Sequence, residues 1–454
     1  MSATAARGRK DTQRERLLAG MITAANRDGY ARASVTAVIA EAGVSRPTFY
    51  DYFSDRAACF AAALTDVHER LLAATREELN RHPPHDALTA SIRALLAFAA
   101  ADPARARFLT NEPIAAGRGA LDARDAGIAA LSALVEHAQR TADPGASIPD
   151  IPAHIAHGAV QRLLAPRLRR GEPGLSEVLA DLLDWLARYA QPRARLRRQT
   201  LRPGPTPPLT PFLIEAPLRA PQALTPGRPR LSEEQVAENH RQRILYAVAR
   251  LAETQGYAAS TVRDITRLAR IDGRAFYALF ADKQNAFMAV HEVGFQQVMS
   301  VTAGAFFAGS TWPERSWEAA RALTQFLEAN PLIAHVGFVE AHAVGPRAVQ
   351  RVEDSHIAFT IFLQEGYQHT RRSDPPSRLA LEATVTAIFE LIYHQARRGG
   401  PPQLTGLVGH IGFLLLAPFL GAGDAETFID AQLTASVSAA TRPSARSGAS
   451  RNLS

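Results

Sequence analysis

The stretch SVTAVIAEAGVSRPTFYDYF, residues 34–53, sets the fold. Ser34 stands directly before an apolar-periodic segment, Val35, Val38, Ile39 and Ala42, and its hydroxyl can accept from the free N–H groups that open a helix. Gly43 follows, where a left-handed backbone reverses the chain within a few residues. Val44 can plug the angle between helices, and Ser45 caps a second helix that opens at Arg46-Pro47. In that second helix Phe49 and Phe53 lie inward at i and i+4, which leaves Arg46, Thr48 and Tyr50 facing outward. Two short helices joined by a tight turn, the second with a polar outward face, fit a DNA major groove.

Sliding the chain along itself reveals the same block a second time. RERLLAGMITAANRDGYARASVTAVIAEAGVSRPTFYDYFSDRAACF aligns without gaps on RQRILYAVARLAETQGYAASTVRDITRLARIDGRAFYALFADKQNAF at an offset of 227. Gly29/Gly256, Tyr30/Tyr257, Phe49/Phe276, Tyr50/Tyr277, Phe53/Phe280, Asp55/Asp282 and Phe60/Phe287 are identical pairs. The match continues at offset 228, pairing Glu112 with Glu340 and Arg169-Arg170-Gly171 with Arg397-Arg398-Gly399. A tandem duplication is therefore expected. Apolar spacing in both copies is helical, with Leu17, Leu18, Met21, Ile22 and Ala25 on one face, and no run alternates with period two long enough to be a strand. Further helices are expected near 57–80, 86–101, 104–116, 120–140, 152–170 and 175–190, so the fold class is all-α.

Composition narrows the function classes. The 454 residues carry a net charge of +7, and the excess sits in one place. Residues 1–190 hold 23 basic and 22 acidic side chains, 191–230 eight and one, and 231–454 20 and 21. The middle segment is dense in Pro and Arg and reads as a linker. Cys59 is the single cysteine, which excludes an intrachain disulfide and a cysteine-based zinc site. The N-terminus has no apolar core of an export signal, and the one greasy run, Leu404–Gly421, is broken by His410, Pro418 and four glycines. A cytoplasmic protein without a membrane span is expected. His335, Glu340 and His342, or His154 with His157, lack a third metal ligand at a convincing spacing, and no phosphate loop or nucleophile elbow occurs. Neither a catalytic site, a metal nor a cofactor is expected.

The stretch Gly29–Arg56 resembles the DNA-binding module of the TetR/AcrR family of one-component bacterial transcriptional regulators, and residues 256–283 resemble it more loosely. The resemblance implies two tandem units, each a helix-turn-helix three-helix module followed by a helical effector and dimerisation domain, arranged as an intramolecular pseudo-dimer. The expected layout is a basic disordered arm (1–11), a first module (12–72, motif 34–53), a first helical domain (73–190), the linker (191–230), a divergent second module (231–299, motif 261–280), a second helical domain (300–436) and a disordered tail (437–454). Carried over position by position, Arg46 and Thr48 read bases, while Ser34, Thr36, Ser45, Tyr50, Tyr52 and Arg56 hold phosphates. Arg7, Arg9 and Lys10 of the arm, and the Arg/Pro run 226–230, are candidate groove contacts.

The second module departs from the pattern. Arg270 replaces the turn glycine, at a cost of about 1 kcal/mol if its backbone is left-handed. Asp272 replaces Ser45, and Gly273 and Ala275 offer nothing to bases, which leaves Arg263, Arg274, Tyr277 and Lys283 as contacts. The resemblance also implies that 152–170, 175–190, 378–397 and 403–420 pair as a four-helix interface. An aromatic-rich second helical domain is expected to hold a small hydrophobic effector, with His335, Glu340, His342 and Tyr393 as polar groups. The sequence thus reads as a regulator, a repressor of double-stranded DNA sites, acting as a monomeric pseudo-dimer or as a homodimer. An effector-binding or protein-interaction scaffold with one or both modules vestigial is the second reading.

Overall fold

The computed structural model describes residues 3–204, 218, 232–370, 374–398 and 403–441. The first half contains α1 (Ala3–Asp28), α2 (Val35–Ala42), α3 (Arg46–Tyr52), α4 (Arg56–Leu79), α5 (Ala87–Ala101), α6 (Pro103–Ala115), α7 (Arg118–Gln139), α8 (Ala153–Arg170) and α9 (Leu175–Ala187). The second contains α10 (Glu233–Gln255), α11 (Val262–Ala269), α12 (Gly273–Leu279), α13 (Lys283–Phe306), α14 (Trp312–Ala329), α15 (Pro331–His335), α16 (Pro346–Phe359), α17 (Ile361–Gln364), α18 (Arg378–Arg397), α19 (Val408–Leu420) and α20 (Ala422–Thr441). The bounds of α2, α3 and α4 recur 227 residues later in α11, α12 and α13. Among the described residues no single helix is long and apolar enough to cross a membrane.

Several boundaries differ from the sequence reading. The arm expected to be disordered belongs to α1, which starts at Ala3, because its Ala-rich run holds no proline to stop the helix; the side chains of Arg7, Arg9 and Lys10 lie outside the described residues. At the other end α20 continues through Thr441, past the expected limit of 436, and residues 442–454 lie outside the described residues. The fold also contains one small antiparallel sheet, β1 (Ser147–Pro149) paired with β2 (Ala190–Pro192).

The start of the Arg/Pro segment is a strap rather than a free tether. After β2 it runs over the second half: the Arg197 and Arg198 amides donate to the carboxylate of buried Asp150, Arg198 pairs with Glu426 at 2.9 Å, and Arg197 with Asp430 at 2.5 Å. Gly204 N–H then donates to Gly406 O at 2.7 Å. A proline-rich chain cannot build a helix, but its arginines can bind the acidic side of α20. The rest of the expected linker, apart from Leu218, and the run 226–230 lie outside the described residues.

The two halves share one apolar core. At its centre α8, buried along most of its length, packs on α18, and α9 packs on α18 beside α19. Trp185 donates to Thr384 Oγ1 at 3.1 Å and Tyr189 to Leu414 O at 2.9 Å. Glu390 of α18 is fully buried and accepts from Arg124 Nη2 at 2.9 Å and Arg162 Nε at 2.5 Å. These two arginines hold its carboxyl well below the usual range against a desolvation cost that alone would raise it. Gly158 makes room for this carboxylate, since a Cβ there would lie 2.4 Å from Glu390 Cδ.

Removing one partner of a buried ion pair leaves an uncompensated charge, so Glu390→Ala is expected to destabilise the chain by about 3–5 kcal/mol in urea unfolding. Arg167→Ala, which breaks a partly exposed pair with Glu382, is expected to cost under about 1 kcal/mol. Burial pushes His154 and His157 down to about 4 and His356 to about 3, so they stay neutral in the fold while the unfolded chain takes up their protons below pH about 6.5. The urea midpoint is therefore expected to hold above that pH and to fall steadily as pH drops from about 6.5 toward 4.

Candidate nucleic-acid interface

The turn of the first module is held by hydrogen bonds that its sequence encodes. Ser34 Oγ accepts from Ala37 N and Ser45 Oγ from Thr48 N, both at 3.2 Å. Gly43 takes φ 60° and ψ 42°, the left-handed region that only glycine enters without strain. Arg16 Nη2 donates to Gly43 O at 2.9 Å and ties α1 to the turn. Phe49 is buried against Phe53, with ring centroids 5.8 Å apart, so the orientation of α3 is fixed from inside.

On the outer face of α3, Arg46 is exposed and makes no hydrogen bond or ion pair among the described residues. Thr48 is half-buried with its hydroxyl 2.8 Å from that of Ser45, and Tyr50 is 50% exposed with its ring edge on Phe49. Ser34 and Thr36 are exposed at the start of α2. These residues form one polar face across the turn. Two expected phosphate contacts are placed elsewhere. Tyr52 turns back to α1, its hydroxyl donating to Gln13 Oε1 at 3.2 Å. Arg56 donates to the carbonyls of Tyr30 and Ala31, both at 3.1 Å, with its guanidinium 4.3 Å from the Tyr30 ring centroid. As the first residue of α4 it points back over the loop that ends α1, where carbonyls without helical partners need a donor.

The second module repeats the scaffold and changes the face. Arg270 adopts φ 53° and ψ 49°, and is the one non-glycine residue with positive φ among those described. The turn therefore keeps the geometry of Gly43, contrary to the expectation that it might be altered, and the strain is absorbed. Arg243 Nη2 donates to Arg270 O at 2.7 Å, 227 residues after the Arg16 contact. Asp272 caps α12 through Ala275 N. Arg263 and Arg274 are exposed without hydrogen bonds or ion pairs among the described residues, and Tyr277 is 60% exposed. Lys283 repeats the Arg56 arrangement and is withdrawn from the face, donating to Tyr257 O at 3.1 Å and Ser260 O at 2.8 Å. Around α12 the surface is otherwise apolar, with Ala275, Ala278 and Leu279 beside Val236 and Ala237 in a shallow depression.

Two carboxylates join the modules to the helical bodies. Glu112 accepts from Tyr30 N–H at 2.8 Å, and Glu340 from Tyr257 N–H at 2.9 Å. Glu340 is thus a clamp at the end of α10, not an effector ligand. Tyr393 also leaves the expected pocket: it lies in the interface between halves, donating to Asp125 at 3.1 Å with Arg124 and Arg162 about 5 Å from its ring centroid. His335 has Nε2 3.7 Å from Glu340 and lines none of the described cavities. Of the four, His342 alone reaches a large cavity, and that cavity lies between the halves. The aromatic residues of the second body fill its interior, leaving two cavities of about 40 Å³ each, too small for a drug-sized ligand.

Relief of the left-handed strain predicts that Arg270→Gly raises stability by about 1 kcal/mol, read as a higher melting temperature, whereas Gly43→Arg lowers it by a similar amount.

No curated protein matches the chain. Among solved structures it is similar to a fatty acid degradation regulator, FadR, from Bacillus halodurans at 17% identity, covering 38% of this chain and 96% of that one with a TM-score of 0.35. It is similar also to a bacterial regulatory protein in the tetR family from Rhodococcus RHA1 (19% identity, 43% and 96% covered, TM-score 0.32). A TetR family transcription regulator from Marinobacter aquaeolei VT8 gives 19% identity, 44% and 97% coverage and a TM-score of 0.32. Residues 18–63, which hold most of α1, the turn, α3 and the start of α4, match the family described as bacterial regulatory proteins, tetR family, and so form its N-terminal helix-turn-helix domain.

Proposed function

We propose that the chain is a sequence-specific DNA-binding transcriptional regulator, a repressor, whose two halves arose by tandem duplication and stand in for the two protomers of a dimeric reader. The observation that carries the reading is the face of α3: an exposed, unpaired Arg46 beside Thr48 and Tyr50, on a helix fixed by Ser45, Gly43 and Phe49. A rigid helix that presents a guanidinium without an internal partner is suited to a guanine edge. The recurrence of helix bounds at 227 residues and the packing of α8 and α9 on α18 support an intramolecular pair. The second module contributes phosphate contacts from Arg263, Arg274 and Tyr277 and little base reading, so the operator is asymmetric. A small molecule bound in the helical bodies releases the DNA by shifting the modules relative to each other.

Selection of bound fragments from random DNA tests this directly. One well-defined half-site is expected, with a second that is weak or degenerate. On the selected sequence, Arg46→Ala and Thr48→Ala are each expected to weaken binding about tenfold to a hundredfold in a gel shift. Arg274→Ala is expected to lower affinity on all sequences alike and to flatten the salt dependence. Binding without sequence preference would overturn the reading.

A further inference from the structure

The largest described cavity, about 720 Å³, lies between the halves. Its first wall is the end of α1 with its following turn (residues 28–32), residues 110–112 of α6 and the last turns of α8. The facing wall is residues 342–345, α16 and α18. It lies outside the aromatic interior of either helical body and touches the first module directly.

The charges on its walls are unevenly satisfied. Each lining carboxylate has its own donor: Glu353 has Arg169, Glu382 has Arg167, Glu172 has Arg170, Asp28 has Arg27, and Glu112 has the Tyr30 N–H. Arg162 differs. It shares one carboxylate, Glu390, with Arg124, reaches it through Nε, and its terminal nitrogens make no hydrogen bond among the described residues. It is 8% exposed, so water does little for it. On the same cavity His356, 9% exposed, and His342 each hold a buried ring nitrogen without a partner. Burial keeps both rings neutral, so they can supply an N–H but no charge. Leu163, Ala165, Pro166 and Val349 line the same space with apolar surface. A buried guanidinium with free planar donors, flanked by two imidazoles and beside an apolar wall, matches one kind of ligand.

We propose that this cleft binds an organic monoanion with an apolar body, its carboxylate or sulfonate seated on Arg162 beside His342 and His356. Through the wall formed by residues 28–32 and Glu112, occupancy changes the DNA affinity of the first module; this second clause rests on the function proposed above.

The test uses the full chain and two fluorescent probes, the anionic 8-anilinonaphthalene-1-sulfonate and its uncharged counterpart N-phenyl-1-naphthylamine. Arg162→Gln is expected to weaken the sulfonate about tenfold or more while leaving the uncharged probe unchanged. Val349→Trp, which fills the cleft without touching the Glu390 pair, is expected to weaken both, and it serves where Arg162→Gln disturbs folding. Phe359→Leu, which opens the aromatic interior of the second body instead, is expected to change neither. Equal sulfonate affinity in the wild type, Arg162→Gln and Val349→Trp would overturn the site, as would weakening confined to Phe359→Leu. In gel shifts on the selected operator, saturating sulfonate is expected to change the affinity of the wild type and not of Val349→Trp. Absence of any sequence-specific DNA binding while the probe results hold would sink the regulatory reading and leave the site standing.

Discussion

One carboxylate, Glu390, sealed between Arg124 and Arg162, constrains how the two halves can meet. Charge removed from water is tolerated only with its partners in place, so the pair penalises any sliding of α18 along α8. The surroundings add directional bonds at the same seam, from Trp185 and Tyr189 to Thr384, and from Arg188 to Pro418 O. Apolar burial supplies the bulk of the attraction there. The ionic and hydrogen-bonded groups select one register out of the many that a greasy helix face would accept.

From that fixed seam the coupling runs outward to the modules through two carboxylates. Glu112 and Glu340 each accept from the backbone N–H just after the long first helix of a module. Each module is also braced from within, by Arg56 or Lys283 over the loop carbonyls and by Arg16 or Arg243 on the turn carbonyl. The modules therefore move as rigid bodies on a carboxylate hinge. Only in the first does that hinge border the large cleft, which makes the two modules unequal in what can influence them as well as in what they can touch.

Local chemistry made much of this legible in the sequence. Caps at Ser34, Ser45 and Asp272, the glycine turn and the inward Phe49 and Phe276 act within a few residues, and apolar period placed the long helices to within a residue or three. What escaped depends on distant partners. Arg56 and Lys283 looked like phosphate contacts because only the fold brings unpaired carbonyls beneath them. Glu340 and Tyr393 looked like pocket groups, yet one caps a helix end and the other is enclosed by arginines from the opposite half. The spacing of Glu112 and Glu340 already marked them as a matched pair, and that signal could have separated them from a ligand set. The strap after β2 was missed since composition forbids helix there but says nothing of docking on α20.

The Arg162–Glu390 contact has a consequence for how the halves choose each other. Positions 162 and 390 correspond at the offset of 228 that aligns the helical bodies, so equivalent sites face one another across the seam. In a dimer of identical chains, a residue beside the twofold axis meets its own copy, and like charges would collide there. A single polypeptide escapes that restriction and places opposite charges at the two sites. Neither half can then accept a second copy of itself without burying Arg against Arg or Glu against Glu, so the seam enforces pairing between unlike halves.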